Sequence, residues 1–491
     1  KLNCMTYRWL SCGCLVVALG LAGCGSDGGS SGGSDTGGSG GEAGTGGAFG
    51  PPAFNEWIKY EPEGAVCSDG SPYKFWVKFS ETSENLIIFL EGGGACWDYE
   101  SCSGATGIRG AANRNGLRDD YATAHREEAG LVFDVDAVYP LLNTDPEVSP
   151  MADWNKVFVP YCTGDTYSGD RVAIYENPNE GEPDLEYRHV GHLNMLAMID
   201  MLDEMFDRVP KMFVGGCSAG GVGALSNYYF LRTGIQGVEK GYLLDDSGPA
   251  FPSNEPTSRS GPLYDTIRES WGLDALIDSV PQAAVLREDF GQLSAVLADE
   301  FPDDRLALTV FRMDYNFSLY SYERFYTRYI DEIVLYEGPG LGLDQYNWLD
   351  RNAVHTLFWD DIDLFTSLAE TKPNFGYFIP FYRETNNSHC VTVPGLEELP
   401  LEDALTLYLT DFGSLAWLGS EIGDTNIHDF VDALLDDEVP IHSAFEGGSE
   451  GHYAACAPGD GYNEAACRDA VCERLSPERR IEQGCPETPS R

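Results

Sequence analysis

The residues Gly216-Cys217-Ser218-Ala219-Gly220 directly follow a short apolar run at 211–215, with Met212, Phe213 and Val214 at its centre. A serine on a tight, glycine-flanked turn between a strand and a helix holds its hydroxyl at the strand end, where it can act as a nucleophile. Small neighbours permit the sharp turn. The spelling alone is weak, because Gly28 to Gly32, Gly37 to Gly41 and Gly447 to Gly451 also read Gly-x-Ser-x-Gly. None of those three follows an apolar strand or opens a helix. Only after Ser218 does the chain continue as an apolar helical stretch, from Val222 to Phe230.

A serine hydroxyl needs a base to take its proton and a buried acid to orient that base. The histidines are His125, His189, His192, His355, His389, His428, His442 and His452. In α/β-hydrolases the chain order is serine, acid, histidine, which leaves the last five. His389 follows the strand-like run 375–379 and the polar loop Glu384-Thr-Asn-Asn-Ser388. A loop beyond a strand end suits a mobile, solvent-reaching imidazole. His452 lies in a cysteine-rich stretch, and His428 in an acidic helical stretch that suits the surface. Asp314 follows the apolar run 306–311, lies between Ser218 and His389, and is the candidate acid. Asp246 also follows a strand, but Asp245-Asp246-Ser247-Gly248-Pro249 reads as a structural turn beside the site.

The oxyanion of an acyl-transfer reaction needs backbone N–H donors. One is expected from Ala219, the other from Gly92-Gly93-Gly94 after the apolar run 85–90. His189 and His192 fall on one expected helix, 189–206, with Leu193, Leu196, Ile199 and Leu202 near one face. No acid–histidine set at ligand spacing accompanies them, so they read as solvated or locally bonded, and no metal is implied. Asp165 and Asp170, around Tyr167, read as turn-capping residues. No organic cofactor is implied either.

Short apolar runs alternate with longer helical patterns from about residue 51 onward, without a second linker or an internal repeat. That alternation predicts a mostly parallel sheet with helices on both faces, and its chemistry belongs at the carboxyl ends of the strands. Each motif above falls at such an end. Ahead of this body, Arg8, the apolar stretch 10–21 and Leu21-Ala22-Gly23-Cys24 predict a signal peptide over residues 1–23. The ending resembles a bacterial lipobox, which implies lipid attachment to Cys24. Residues 24–50, rich in glycine and serine, read as a flexible tether. The expected placement is the bacterial cell envelope, lipid-anchored and either surface-exposed or periplasmic, with extracellular release as the alternative.

Beyond Cys24, ten cysteines remain, an even number that favours disulfides in an exported protein. Cys96/Cys102 and Cys467/Cys472 are close enough to pair locally, and residues 446–491 read as a disulfide-tied tail on the catalytic domain 51–491. The net charge of −48 repels phosphate and excludes nucleic acid as a partner.

Leu90-Glu-Gly-Gly-Gly-Ala-Cys-Trp97, Pro160-Tyr-Cys-Thr-Gly-Asp165, Gly216-Cys-Ser-Ala-Gly-Gly221, Asp246-Ser-Gly248 and Ser388-His-Cys390 together resemble the pectin acetylesterase/Notum family of serine carboxylesterases, over roughly residues 55–440. The resemblance implies an α/β-hydrolase-like fold, a nucleophile at Ser218, an acid at Asp314, a base at His389, and oxyanion donors at Gly93, Gly94 and Ala219. Animal members carry an aromatic residue at the third position of the glycine loop. Gly94 stands there in this chain, as in plant and bacterial members, which favours small acyl groups. The expected substrate is an O-acetylated polysaccharide such as pectin, deacetylated through an acyl-enzyme. The rivals are a lipase or polyester depolymerase on the same fold, and a catalytically silent glycan-binding surface lipoprotein. A purely structural lipoprotein explains the tether but not the serine turn.

Overall fold

The computed structural model describes residues 53–104, 110–128, 131–254, 258–322, 348–381, 388–393, 421–446 and 466. The expected signal peptide, Cys24, the tether, His452 and the four cysteines of the C-terminal tail lie outside the described residues.

Among the described residues, nine strands form the central sheet: β1 (Trp57–Tyr60), β2 (Phe75–Lys78), β3 (Leu86–Leu90), β4 (Asn155–Val159), β5 (Val209–Cys217), β6 (Val238–Asp246), β7 (Arg305–Thr309), β8 (Phe375–Ile379) and β9 (Ala444–Phe445). Their spatial order is β1-β2-β4-β3-β5-β6-β7-β8-β9. β2 pairs antiparallel with both β1 and β4, and every other neighbouring pair is parallel. The expected mostly parallel sheet is therefore the observed one. The order reverses at β3 and β5, because the chain leaves β3 for β4 on one side and builds from β5 outward on the other. A crevice opens at such a reversal, beyond the carboxyl ends of the two strands. The glycine loop follows β3 and the serine turn follows β5, so topology alone sets them face to face.

Both faces of the sheet are covered. In β3 all five residues are buried. Leu86, Ile88 and Leu90 belong to one core, and Ile87 and Phe89 to the other. That two-residue alternation within an unbroken apolar run is the signature of a strand packed on both sides. Helices α1 (Gly191–Met205), α2 (Ala219–Gly234) and α3 (Gly261–Trp271) contribute to the first core. α4 (Tyr315–Tyr322) follows β7, and α5 (Ile427–Leu435) covers the second face through Ile427, Phe430, Val431 and Leu434. The buried Arg305 at the start of β7 donates to the carbonyls of Ala433, Leu434 and Val439, each at 2.8 Å. The last carbonyls of a helix have no partner within it, so this guanidinium both caps α5 and fixes it to the sheet.

The expected face of α1 is corrected by the packing. Met195, Met198, Ile199 and Leu202 are buried, whereas Leu193 and Leu196 are 42% and 37% exposed. Leucines spaced three apart drift by about 60° per step around a helix and so do not mark one face, whereas the charged Asp200, Asp203 and Glu204 share the outward side with Leu193 and Leu196. The start is set instead by Gly191, whose N–H donates to Asp165 at 2.7 Å. His189 is not on the helix; it ends a separate hairpin of Arg171–Tyr175 and Leu185–His189.

Among the described residues three disulfides tie the body: Cys67–Cys162, Cys96–Cys102 and Cys217–Cys390. The second is one of the two local pairs that spacing allows.

Candidate active site

β5 ends at Cys217 and α2 begins at Ala219, so Ser218 alone makes the turn, at φ 59° and ψ −121°. A non-glycine residue pays for this backbone region with strain and stays there only when its surroundings hold it. Here the Ser218 N–H donates to the Asp246 carbonyl at 2.8 Å, and its carbonyl accepts from Val222 N–H at 3.0 Å. The flanking glycines serve close approach. A Cβ on Gly220 would fall 2.0 Å from the Leu90 carbonyl oxygen, and one on Gly216 2.5 Å from the same atom. The end of β3 thus rests directly on the serine turn. Ser218 itself is only partly buried.

The loop after β3 lies over this turn. A Cβ on Gly92 would sit 2.7 Å from the Cys217 carbonyl oxygen and 3.3 Å from Ser218 Cβ. Gly94 takes φ 75°, and the Gly93 carbonyl is held by Ala112 N–H at 2.9 Å. The structure therefore brings Gly93, Gly94 and Ala219 to the same end of the sheet as Ser218. Ala219 opens α2, and the first N–H groups of a helix favour negative charge.

His389 Nδ1 lies 2.9 and 2.8 Å from the two carboxylate oxygens of Asp314. Asp314 is fully buried beyond β7, where Oδ1 also accepts the Phe317 N–H at 2.8 Å and so caps α4. His389 departs from the expected solvent-reaching imidazole: it is only 7% exposed. Burial pushes its pKa down, but the charge and hydrogen bond of Asp314, with Asp246 adding to them, outweigh that and leave it raised above 6.5.

Asp246, expected as a turn residue, takes a larger share than that. Its carboxylate accepts from Val391 N–H, Thr392 N–H and Thr392 Oγ1 at 2.8, 2.8 and 2.6 Å. Ser247 Oγ accepts from Cys390 N–H at 3.0 Å. The end of β6 therefore binds the backbone immediately after His389. The Cys217–Cys390 disulfide joins the residue before Ser218 to the residue after His389, with their Cα atoms 5.5 Å apart. Sequence reasoning weighed neither contact, although the spellings Cys-Ser and His-Cys carried the signal.

Glu91 was missed as well. It accepts from Tyr121 Oη at 2.8 Å, Tyr161 N–H at 3.1 Å and Tyr139 Oη at 3.4 Å, and lies 3.5 Å from His125 Nε2. Burial pushes its carboxyl up to about 7 and the His125 imidazole down to about 4. An acid directly after an unbroken apolar strand was the available clue.

The remaining candidates fall elsewhere. His189 and His192 are buried rather than solvated. His189 bonds Tyr175 Oη at 2.7 Å and the Thr163 carbonyl at 3.1 Å, and burial pushes its pKa down to about 3. His192 Nδ1 pairs with Asn227 Oδ1 at 3.1 Å. Asp165 caps its turn as expected, accepting from Thr163 Oγ1, Tyr167 N–H and Gly191 N–H. His428 lies on α5 beside Asp432, 3.3 Å away. His442 is exposed.

Residues 56–282 match the family described as Pectinacetylesterase. The palmitoleoyl-protein carboxylesterase NOTUM of Drosophila melanogaster is 28% identical over 219 residues, covering 42% of this chain and 30% of its own length. Pectin acetylesterase 4 of Arabidopsis thaliana is 32% identical over 178 residues, covering 35% and 38%. Pectin acetylesterase 5 of the same plant is 31% identical over 224 residues, covering 44% and 47%. The chain thus spans less than half the length of each of these relatives. A crystal structure of the Wnt deacylase Notum from Drosophila superimposes with a TM-score of 0.45 and 17% identity, covering 77% of this chain and 92% of that one. The fold assignment stands on the strand order and pairing, not on that superposition.

Proposed function

We propose that the chain is a serine carboxylesterase, a reading supported by the match of residues 56–282 to the family described as Pectinacetylesterase. Ser218 is the nucleophile, His389 the base and Asp314 the residue that orients it. The observation that carries this reading is the strained turn of Ser218 beside the glycine loop, with the buried His389–Asp314 pair tied to the same turn through Cys390. With Nδ1 engaged by Asp314, the other ring nitrogen, Nε2, takes the Ser218 proton as Oγ attacks the ester carbonyl. The N–H groups of Gly93, Gly94 and Ala219 receive the oxyanion. The tetrahedral intermediate collapses with that proton passing to the leaving alcohol. Water, deprotonated by the same imidazole, then releases the acid and restores Ser218.

The proposed substrate is an O-acetylated polysaccharide such as pectin. Supporting it are the pectin acetylesterase relatives and Gly94, which leaves no side chain at the third position of the loop. A longer acyl chain, as on a lipid or polyester, is the second reading, favoured by the palmitoleoyl-protein carboxylesterase among the relatives. The proposed setting is the bacterial envelope, with lipid attachment at Cys24 and a tether to residue 50. Three disulfides among the described residues support an oxidising compartment. Hydrolysis of p-nitrophenyl acetate, butyrate and octanoate, together with acetate release from acetylated pectin, tests the reading. Preference for acetate and release from pectin are expected. Rates rising with chain length move the substrate to lipids or polyesters, and the absence of hydrolysis above that of Ser218→Ala removes the esterase reading.

A further inference from the structure

His389 is not placed by a strand. Both of its neighbours adopt left-handed backbone, with φ 51° at Ser388 and 61° at Cys390. Non-glycine residues persist in that region only when several contacts fix them. Such contacts surround the short segment 388–393. The Cys390 side chain is bonded to Cys217 at the end of β5, and its N–H reaches Ser247 at the end of β6. The next two N–H groups and the Thr392 hydroxyl converge on Asp246. A ring nitrogen of His389 and both disulfide sulfurs lie within 4.8 Å of one another. The covalent link is therefore packed beside the imidazole as well as flanking it in sequence.

Resting on the esterase reading above, we infer that the Cys217–Cys390 disulfide is a positioning device that fixes the base against the nucleophile, so that turnover requires this bond to be oxidised. The link passes through only one residue on each side: Ser218–Cys217 to Cys390–His389. Asp314 fixes the rotation of the ring, whereas the disulfide, with Asp246 and Ser247, fixes the backbone that carries it. Cutting the bond leaves the Asp246 and Ser247 hydrogen bonds to hold two strained residues. A displacement of about 1 Å between reacting groups costs roughly 10²-fold in rate, so kcat is expected to fall by about that factor. Substrate binding does not use the bond, so KM is expected to hold.

Thiol–disulfide exchange with dithiothreitol supplies the reduction. Two electrons and two protons pass to the protein, giving the Cys217 and Cys390 thiols and the cyclic disulfide of the reagent. The test compares the full chain with Cys217→Ser/Cys390→Ser and Cys67→Ser/Cys162→Ser. Each is assayed on p-nitrophenyl acetate with and without dithiothreitol, with circular dichroism to establish folding and alkylation mapping to identify reduced cysteines. For Cys217→Ser/Cys390→Ser, kcat should fall about 10²-fold with KM within twofold, and dithiothreitol should then have no further effect on kcat. The unsubstituted protein should fall to the same level once residues 217 and 390 are reduced, and recover on reoxidation. Cys67→Ser/Cys162→Ser should keep kcat within about threefold and remain sensitive to the reductant.

A folded Cys217→Ser/Cys390→Ser protein with kcat within twofold of the unsubstituted one, or with its loss in KM, would overturn the inference. If that variant does not fold, full activity of the unsubstituted protein with residues 217 and 390 mapped as reduced would overturn it equally. Absence of any Ser218-dependent activity in the oxidised, unsubstituted protein would instead remove the esterase reading beneath it, and is recognised before any cysteine is changed.

Discussion

Replacement of Gly220 by alanine is the sharpest probe of how β3 and the serine turn share space. The added Cβ would lie 2.0 Å from the Leu90 carbonyl oxygen, 2.6 Å from the Leu90 carbonyl carbon and 2.9 Å from that of Glu91. An ordinary carbon–oxygen contact needs about 3.2 Å or more, so roughly 1.2 Å of separation must be found. All three obstructing atoms are backbone, and β3 is hydrogen-bonded on both sides by β4 and β5. No side-chain rotation relieves the clash. Overpacking of this kind costs about 1–3 kcal/mol, and a backbone obstruction belongs at the upper end. Leu90 and Glu91 lead straight into Gly92–Gly94, so the shift also moves the proposed oxyanion donors by about 1 Å relative to Ser218. A kcat lower by roughly 10²-fold is expected for that displacement. The assay is kcat and KM on p-nitrophenyl acetate with the melting temperature measured beside it. Gly261→Ala is the control: it opens α3, and a Cβ there meets nothing within 4 Å. That change should leave kcat unaltered and raise stability by up to about 1 kcal/mol. A Gly220→Ala protein with unaltered kcat and melting temperature would refute the close-approach argument.

Other expectations follow from the charged groups. Asp314→Asn should lower kcat by about 10³- to 10⁴-fold with little change in KM, read from steady-state rates on p-nitrophenyl acetate. A base must be neutral to act, so kcat/KM should rise with pH through a midpoint above 6.5, and in Asp314→Asn that midpoint should drop below 6.5 because burial then outweighs the remaining charge of Asp246. The protonated His389–Asp314 pair should add stability that is full below the unfolded value near 6.5 and is lost as pH rises through the raised folded value. Glu91 titrates near 7 in the folded state against 4.5 unfolded, so the native state holds the extra proton between those values and stability should fall across that window, by about 3 kcal/mol in all. Glu91→Gln should flatten this slope in denaturant midpoints taken from pH 5 to 8; an unchanged slope would show that Glu91 is not its source.

The parallel core of the fold was legible because its strands are buried on both faces and read as unbroken apolar runs. The runs around Leu86–Leu90, Val214, Leu243–Leu244, Leu306–Leu308 and Phe375–Ile379 each became a central strand. Ser218 and Asp314 stand out in the sequence because each closely follows such a run, and His389 because it lies in a polar loop beyond the run 375–379; the structure sets His389 against Asp314. Features set by tertiary packing were not legible. The rotation of α1 is the exception, because Asp200, Asp203 and Glu204 mark its outward face and only the even spacing of the leucines obscured it. The burial of His189 and His192 depended on partners at Thr163, Tyr175 and Asn227, distant in sequence. The work of Asp246 depended on a segment 145 residues further along the chain. Local spacing does not encode such meetings; a disulfide between two cysteines 173 residues apart makes the same point.

Covalent capture of Ser218 tests the proposed chemistry most directly. The full chain would be treated with a fluorophosphonate and the modified peptide identified by mass spectrometry, with Ser218→Ala in parallel. A single adduct on Ser218, loss of hydrolysis in proportion to labelling, and a fall of several orders of magnitude in the rate of Ser218→Ala are the predicted results. Labelling elsewhere, or a folded Ser218→Ala protein that hydrolyses p-nitrophenyl acetate at the unsubstituted rate, would contradict it.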